Sequence, residues 1–327
     1  MHHSHVFRLT SLPETVALAP YLIGYQPQDS LVALAQHGRQ VVFALATALP
    51  QHPEFDHEAL RITRLLAREH ADTVFLIGYG PALPVQVAVD RTTDALRHYG
   101  IPVLAAARVH DGMLWHLDCH DKLCPAAGIP FDPATTATAA QATVAGLVAL
   151  PDRTAVAVSL DPATDGERDA TSAAVPRAFA DIAHQLAAAA GGDRAAETQL
   201  GRLAEQLVAE AVTAAGTAGR LTDPQAALLL VLLRVPRFWD AAVRHVDHED
   251  AQIRAWTDLT RRADDLLVPG AALLLAVAAL TAGNGVLADA AVRRALAADP
   301  GDEMAHTLLQ AIQLGIDPPT VSRILRS

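Results

Sequence analysis

From Glu14 to Ile23 the apolar residues Val16, Leu18, Ala19, Leu22 and Ile23 recur at helical spacing, with Pro13 where a first-turn proline is tolerated and Gly24 as the stop. The period then changes. Ser30 to Ala35 and Gln40 to Ala48 read as strands of a hairpin, with Gly38 supplying the positive φ that the turn requires. Asp56 to His70 returns to helical spacing, and Thr73 to Gly78 is a continuous apolar run of the kind buried on both faces of a sheet. Pro84 to Tyr99 predicts another amphipathic helix, Pro102 to Val109 a strand, and Asp111-Gly112 a tight turn into a strand from Met113 to Leu117.

Helix, hairpin, helix, strand, helix, hairpin predicts a mixed sheet covered by helices, assigned to residues 1 to 130. Beyond Phe131-Asp132-Pro133 the pattern is helical and alanine-rich, over about 134–149, 171–190, 194–215, 223–234, 249–265, 271–282, 285–298 and 302–314. The polar stretch 160–170 reads as a linker, and Leu228 to Leu233 is apolar all round, as in a central helix. Residues 131–327 are therefore expected to form an all-α domain. Its end, about 249–314, carries Ala290, Ala291, Ala295, Leu296 and Pro300 in an order similar to the second helix and closing proline of a tetratricopeptide unit, although no 34-residue copies occur elsewhere. The expected fold class is α/β, a mixed-sheet N-terminal domain followed by a tetratricopeptide-like helical domain.

Composition narrows the chemistry. The chain has 327 residues, 25 basic and 36 acidic, for a net charge of -11. Residues 1–150 hold 9 basic and 13 acidic side chains and the remainder 16 and 23, so neither half offers the basic stripe that replaces counterions on nucleic acid. The pairs Arg261-Arg262 and Arg293-Arg294 read as solvated helix faces. Lys122 is the one lysine, in a segment with neither a phosphate loop nor a Schiff-base setting, which excludes both enzyme classes. The longest apolar stretch, Val268 to Ala282, falls short of the roughly 20 residues needed to cross a bilayer. Two cysteines and no charged-then-apolar leader after Met1 predict a cytoplasmic protein.

The run Ala19-Pro20-Tyr21-Leu22-Ile23-Gly24-Tyr25-Gln26-Pro27-Gln28-Asp29-Ser30-Leu31-Val32 resembles the opening of the bacterial family called domain of unknown function 4192, found mainly in actinobacteria. Leu49-Pro50, Cys124-Pro125 and Arg294 to Gly301 also look like that family, so the resemblance covers nearly the whole chain. It implies a fold and a cytoplasmic actinobacterial setting, and no reaction.

Four constellations carry chemistry. In the loop from Gly24 to Ser30, the residues Tyr25, Gln26, Asp29 and Ser30 are candidates for ligand binding, or else each has a turn role. Gly78 and Gly80, at the end of the apolar strand and before a helix, are a second ligand candidate, because ligands gather at strand ends and anions at helix N-termini; the alternative is a tight strand-to-helix turn. His116, Cys119, His120 and Cys124 have the residue types of a zinc site, to be weighed against a disulfide or two inert thiols. Asp247 in His245 to Asp250 reads as a helix cap. No cofactor is expected apart from zinc at His116 to Cys124. Nucleophile elbows and metalloprotease helices are absent. The leading expectation is a non-enzymatic protein-binding or scaffold module with an unidentified protein partner, and neither nucleic acid nor membrane. The alternative is a small-molecule-binding enzyme or sensor with its site at the strand ends of the N-terminal domain.

Overall fold

The computed structural model describes residues 11–38, 40–49, 54–68, 71–119, 125–145, 147–164, 166–247, 249–314, 316 and 320. The chain divides into two compact units, Met1–Val156 and Ala157–Ser327.

In the first unit, α1 (Leu12–Ile23) starts at Ser11, whose hydroxyl accepts from the Glu14 amide, and stops at Gly24, whose φ of 85° lets its N–H reach back to the Pro20 carbonyl. Next come β1 (Ser30–His37), β2 (Gln40–Ala48), α2 (Phe55–Arg68), β3 (Thr73–Tyr79), α3 (Ala82–His98), β4 (Val103–His110), β5 (Met113–His116) and the two-residue β6 (Ile129–Pro130). They form one six-stranded sheet in the order β2-β1-β3-β4-β5-β6. Among neighbouring strands β3 and β4 are the parallel pair, joined by the crossover helix α3, while α2 carries the chain from β2 past β1 to β3; the remaining neighbours are antiparallel. The expected mixed sheet is present.

Period-2 alternation divides the sheet between two layers. Leu31, Ala33, Ala35, Val74 and Leu76 face Ile62 and Leu66 of α2 and Val85, Ala88 and Leu96 of α3 in one core cluster. Helix α1 covers the opposite face, where the buried Tyr79 donates its hydroxyl hydrogen to the Val16 carbonyl. Burial pushes the Tyr79 phenol far above its usual range, so it stays protonated and serves as a donor.

Helix α2 is also tied to β2 through Glu58. Its carboxylate accepts from Thr47 Oγ1 and from Arg61 Nε and Nη2 at 2.8 and 2.6 Å. Burial raises the Glu58 pKa, but the hydrogen bonds from Arg61 and Thr47 outweigh it and hold the carboxyl below its ordinary value. A depressed folded pKa gives stability that is present above the unfolded pKa and lost as pH falls through the folded one. Glu58→Gln is accordingly expected to cost about 1 kcal/mol at pH 7 and progressively less as the pH is lowered below the ordinary glutamate range, read from urea unfolding across a pH series.

The boundary between the units differs from the one expected at residue 130. The predicted helix over 134–149 is a 3-10 turn at Pro133–Thr135, capped by Asp132, followed by α4 (Ala137–Val144), whose N-cap Thr136 accepts from the Ala139 amide. The amide and hydroxyl of Thr138 in α4 donate to the Glu14 carboxylate of α1, so this helix packs with the sheet unit. Composition marks a helix but not its neighbour. A short helix, α5 (Arg153–Val158), spans the boundary.

In the second unit the described residues are helical: α6 (Glu167–Ala190), α7 (Arg194–Gly216), α8 (Asp223–Leu232), α9 (Pro236–Val243), α10 (Asp250–Arg262), α11 (Val268–Thr281), α12 (Gly285–Ala298) and α13 (Glu303–Gln313). Helix α11 is buried on every side from Val268 to Ala279 and packs against α10 and α12. Gly270 lets the end of α8 approach α11 closely, since a Cβ there would lie 2.9 Å from Leu233 Cβ, and the Gly270 carbonyl accepts from the buried Trp239 Nε1 at 3.0 Å. Trp256, fully buried in α10, donates to Gln252 Oε1.

Two expectations for this unit are corrected. Stretch 160–170 is not a free linker: Leu160 is buried, Ala163 N–H donates to the Arg261 carbonyl, and Arg261 Nε donates to the Asp161 carbonyl. The Arg261-Arg262 pair is not a solvated face either, because Arg262 is 0% exposed and its guanidinium joins three helices, α6, α8 and α10. No helix among the described residues is long and apolar enough to cross a membrane.

Candidate functional site

The parallel pair β3 and β4 ends on one side of the sheet, and α3 begins there, directly after Gly80 and Pro81. Pro81 is the N-cap of α3 and offers no side-chain acceptor to the first turn. Beside it, β4 turns into β5 through Asp111 and Gly112, whose φ values of 47° and 70° are those of a two-residue hairpin turn with both central residues left-handed. That turn fixes the register and sets Arg108 directly opposite Trp115 on the same face.

Arg108 stacks on Trp115, with its guanidinium carbon 3.5 Å from the ring centroid. Nη1 donates to the Gly80 carbonyl at 3.3 Å, which places the guanidinium at the foot of α3. Trp115 is held in turn: Nε1 donates to the Ala126 carbonyl at 3.3 Å, and Gly128, at φ +78°, lies so close that a Cβ there would be 2.7 Å from Cε2. Leu114 to Leu117 then form one wall of a cavity of about 540 Å3, closed elsewhere by Leu12, Ala82 and Ile129, among others. That size is ordinary for a small-molecule site.

The electrostatics of the cavity are one-sided. Among the described residues, no carboxylate lines it and none forms an ion pair with Arg108. Burial pulls the Arg108 pKa down and the charge of Asp111 partly restores it. A guanidinium stays protonated in proteins, so it remains here as a partly desolvated cation.

A family model described as Domain of unknown function (DUF4192) matches residues 14–319 of the chain. The chain belongs to the DUF4192 family. No match was found among curated proteins or among solved structures.

In this DUF4192 chain the run that carries the family resemblance builds the fold. Tyr25 is buried and bridges to Leu150, while Gln26 N–H donates to the Leu150 carbonyl at 2.8 Å and Leu150 N–H to Gly24 at 2.9 Å. Burial raises the Tyr25 phenol pKa, and Arg153 offsets part of that. Asp29 sits at φ 42°, its carbonyl accepting from Leu49 N–H, and the Ser30 hydroxyl donates to the Gln28 carbonyl. These are turn roles. Gly78 lies beneath Val85 of α3, and Gly80, at φ +140°, is where a Cβ would meet Asp29 Oδ1 at 3.1 Å. Tyr25, Gln26, Asp29, Ser30, Gly78 and Gly80 therefore surround the strand ends without lining the cavity; Gly80 reaches it through its carbonyl on Arg108.

Of the zinc candidates in the DUF4192 chain, His116 and Cys119 line the cavity, and His120 and Cys124 lie outside the described residues. Cys119 is disulfide-bonded. A sulfur so engaged is not a thiolate, so zinc and the disulfide are alternatives for that atom. The described residues contain no group of three or more His, Cys, Asp or Glu placed to hold a metal ion. Asp247 is not the cap expected of it: the N-cap of α10 is Glu249, which makes no side-chain capping bond, and Asp247 Oδ1 accepts from the Glu249 amide in the turn before the helix; His248 lies outside the described residues.

Sequence reasoning missed Arg108, Trp115 and Ala82. A signal for the first two was available: counting outward from Asp111-Gly112 pairs 110 with 113 and hence 108 with 115, an arginine opposite a tryptophan on a predicted hairpin.

Proposed function

We propose that this DUF4192 protein is a small-molecule-binding module whose site is the cavity at the carboxyl ends of β3 and β4. One observation carries the reading: an apolar-walled cavity of about 540 Å3 holds a cation, Arg108, positioned by Trp115 and Gly80, and no carboxylate among the described residues is ion-paired with it. Convergent polar groups in an apolar cleft at strand ends are the usual make-up of a ligand site. A scaffold role rests on helical character alone, so the ligand-binding role is preferred. We assign no reaction, since the cavity wall offers neither a paired nucleophile and base nor a metal cluster among its described residues.

The test is saturation-transfer NMR with four six-carbon probes: hexanol, hexylamine, hexanoate and hexyl phosphate. At least one is expected to give a signal with the wild-type protein, and the signal is expected to vanish in Ala82→Phe, which fills the cavity from the first turn of α3. Silence from all four, or a signal unchanged by Ala82→Phe, would overturn the reading.

A further inference from the structure

We infer that the ligand of this cavity is an organic oxyanion, a carboxylate or phosphate ester on an apolar body, with its head group held between Arg108 and the start of α3. The inference rests on the cavity being a ligand site. The sign of the ligand charge follows from what surrounds it. Leaving a charged group partly buried without a counter-charge is unfavourable, and partly buried cations are ordinarily paired. Arg108 is an exception among the described residues: one nitrogen bonds a backbone carbonyl, one face lies on an indole ring, and Nε and Nη2 have no protein acceptor. The other partly or fully buried arginines among the described residues do find carboxylates, Arg61 with Glu58, Arg168 with Asp265, Arg262 with Asp223 and Arg294 with Asp265. In a chain with 36 acidic residues, keeping every carboxylate off the described cavity wall leaves a place for one from outside.

A second feature has the same sign. Helix α3 has 17 residues, its N-cap Pro81 supplies no side-chain acceptor, and Ala82 at its first position lines the cavity. The positive end of its dipole therefore adds to the guanidinium, and Gly80, within 3.3 Å of Arg108, locks the two together. The free edge of a guanidinium offers parallel donors matched to the two oxygens of a carboxylate or phosphate. Leu12, Leu114, Leu117 and Ile129 give the remaining wall an apolar character and specify the body of the ligand.

Calorimetric titration with the same four probes separates the claims. Hexanoate or hexyl phosphate is expected to bind at least tenfold more tightly than hexanol, with hexylamine weakest, and the order of the two anions tells carboxylate from phosphate. Arg108→Met is expected to lower anion affinity by roughly 10- to 100-fold, the worth of charge-assisted hydrogen bonds, and to leave hexanol unchanged. Arg108→Lys keeps a cation without the fork and is expected to lose roughly three- to tenfold; it covers the case in which the methionine variant does not fold. Equal binding of hexanol and the anions, or an anion preference that survives both substitutions, overturns the inference and leaves the cavity as a ligand site. Binding of none of the probes removes both.

Discussion

Arg262→Met is expected to lower the unfolding free energy of the helical unit by about 3 kcal/mol, the lower end of the range for breaking a buried ion pair. The side chain is 0% exposed and spends four of its five N–H donors: Nε on Thr171 Oγ1 at 3.1 Å, Nη1 on the Leu221 carbonyl and Asp258 Oδ2 at 3.0 Å each, and Nη2 on Asp223 Oδ1 at 3.1 Å. Methionine fills much of the volume and satisfies none of these acceptors. Asp223 and Asp258 would then face each other's charge and Thr171 without the buried guanidinium, but Arg220 still acts on them and their side chains are 40% and 28% exposed, so part of the loss is recovered. Burial already raises the Asp258 pKa, with Arg262 and Arg220 opposing it. A raised folded pKa means that ionising Asp258 costs stability as pH rises through that value, and removing Arg262 moves the value further up. Urea unfolding followed by circular dichroism measures the effect. A loss under about 1 kcal/mol would show that the network contributes little, and adding Asp223→Asn and Asp258→Asn to Arg262→Met is expected to restore part of the stability.

The second large effect lies in the sheet unit. In Gly78→Ala the added Cβ would stand 2.2 Å from Val85 Cγ1 and 3.1 Å from Val85 Cβ, where both the strand and the Val85 side chain of α3 are buried. Overpacking of this kind is expected to cost about 2 to 3 kcal/mol and to lift the first turn of α3, including Ala82, away from the cavity. Val85→Ala alone should cost about 1 to 2 kcal/mol through the space it leaves. Combined, the two changes fit together, and the double variant is expected to be more stable than Gly78→Ala by at least 1 kcal/mol. A double variant whose losses simply add would show that the contact is not the cause.

Much of the sheet was legible because its signals are local. Thr73 to Tyr79 is apolar on both faces, and Gly38 and Asp111-Gly112 supply the turn residues that hairpins require. The helices with long periodic stretches, such as α7 and α10, were equally plain. Elements too short to show a period were lost: α5 and α9, with six and eight residues, and β6, whose two residues include Pro130. The site was less legible for a different reason. Gly78 and Gly80 pointed to the right end of the sheet, but the side chain that carries the charge comes from β4 and its support from β5, and that pairing exists only once a register is assigned. Arg262 shows the same limit. Next to Arg261 it reads as surface charge, and only the crossing of α6, α8 and α10 makes it interior.

The three tryptophans are divided unequally between the units. Trp115 stands in the sheet unit against a guanidinium, at the wall of an open cavity, whereas Trp239 and Trp256 lie in the helical unit at 6% and 0% exposure. Indole emission shifts to the red with polarity and is quenched by solutes that reach the ring. The chain thus carries two optical channels, one at the cavity and one in the helical core, and replacing Trp115 by phenylalanine would silence the first while leaving the second as an independent gauge of folding.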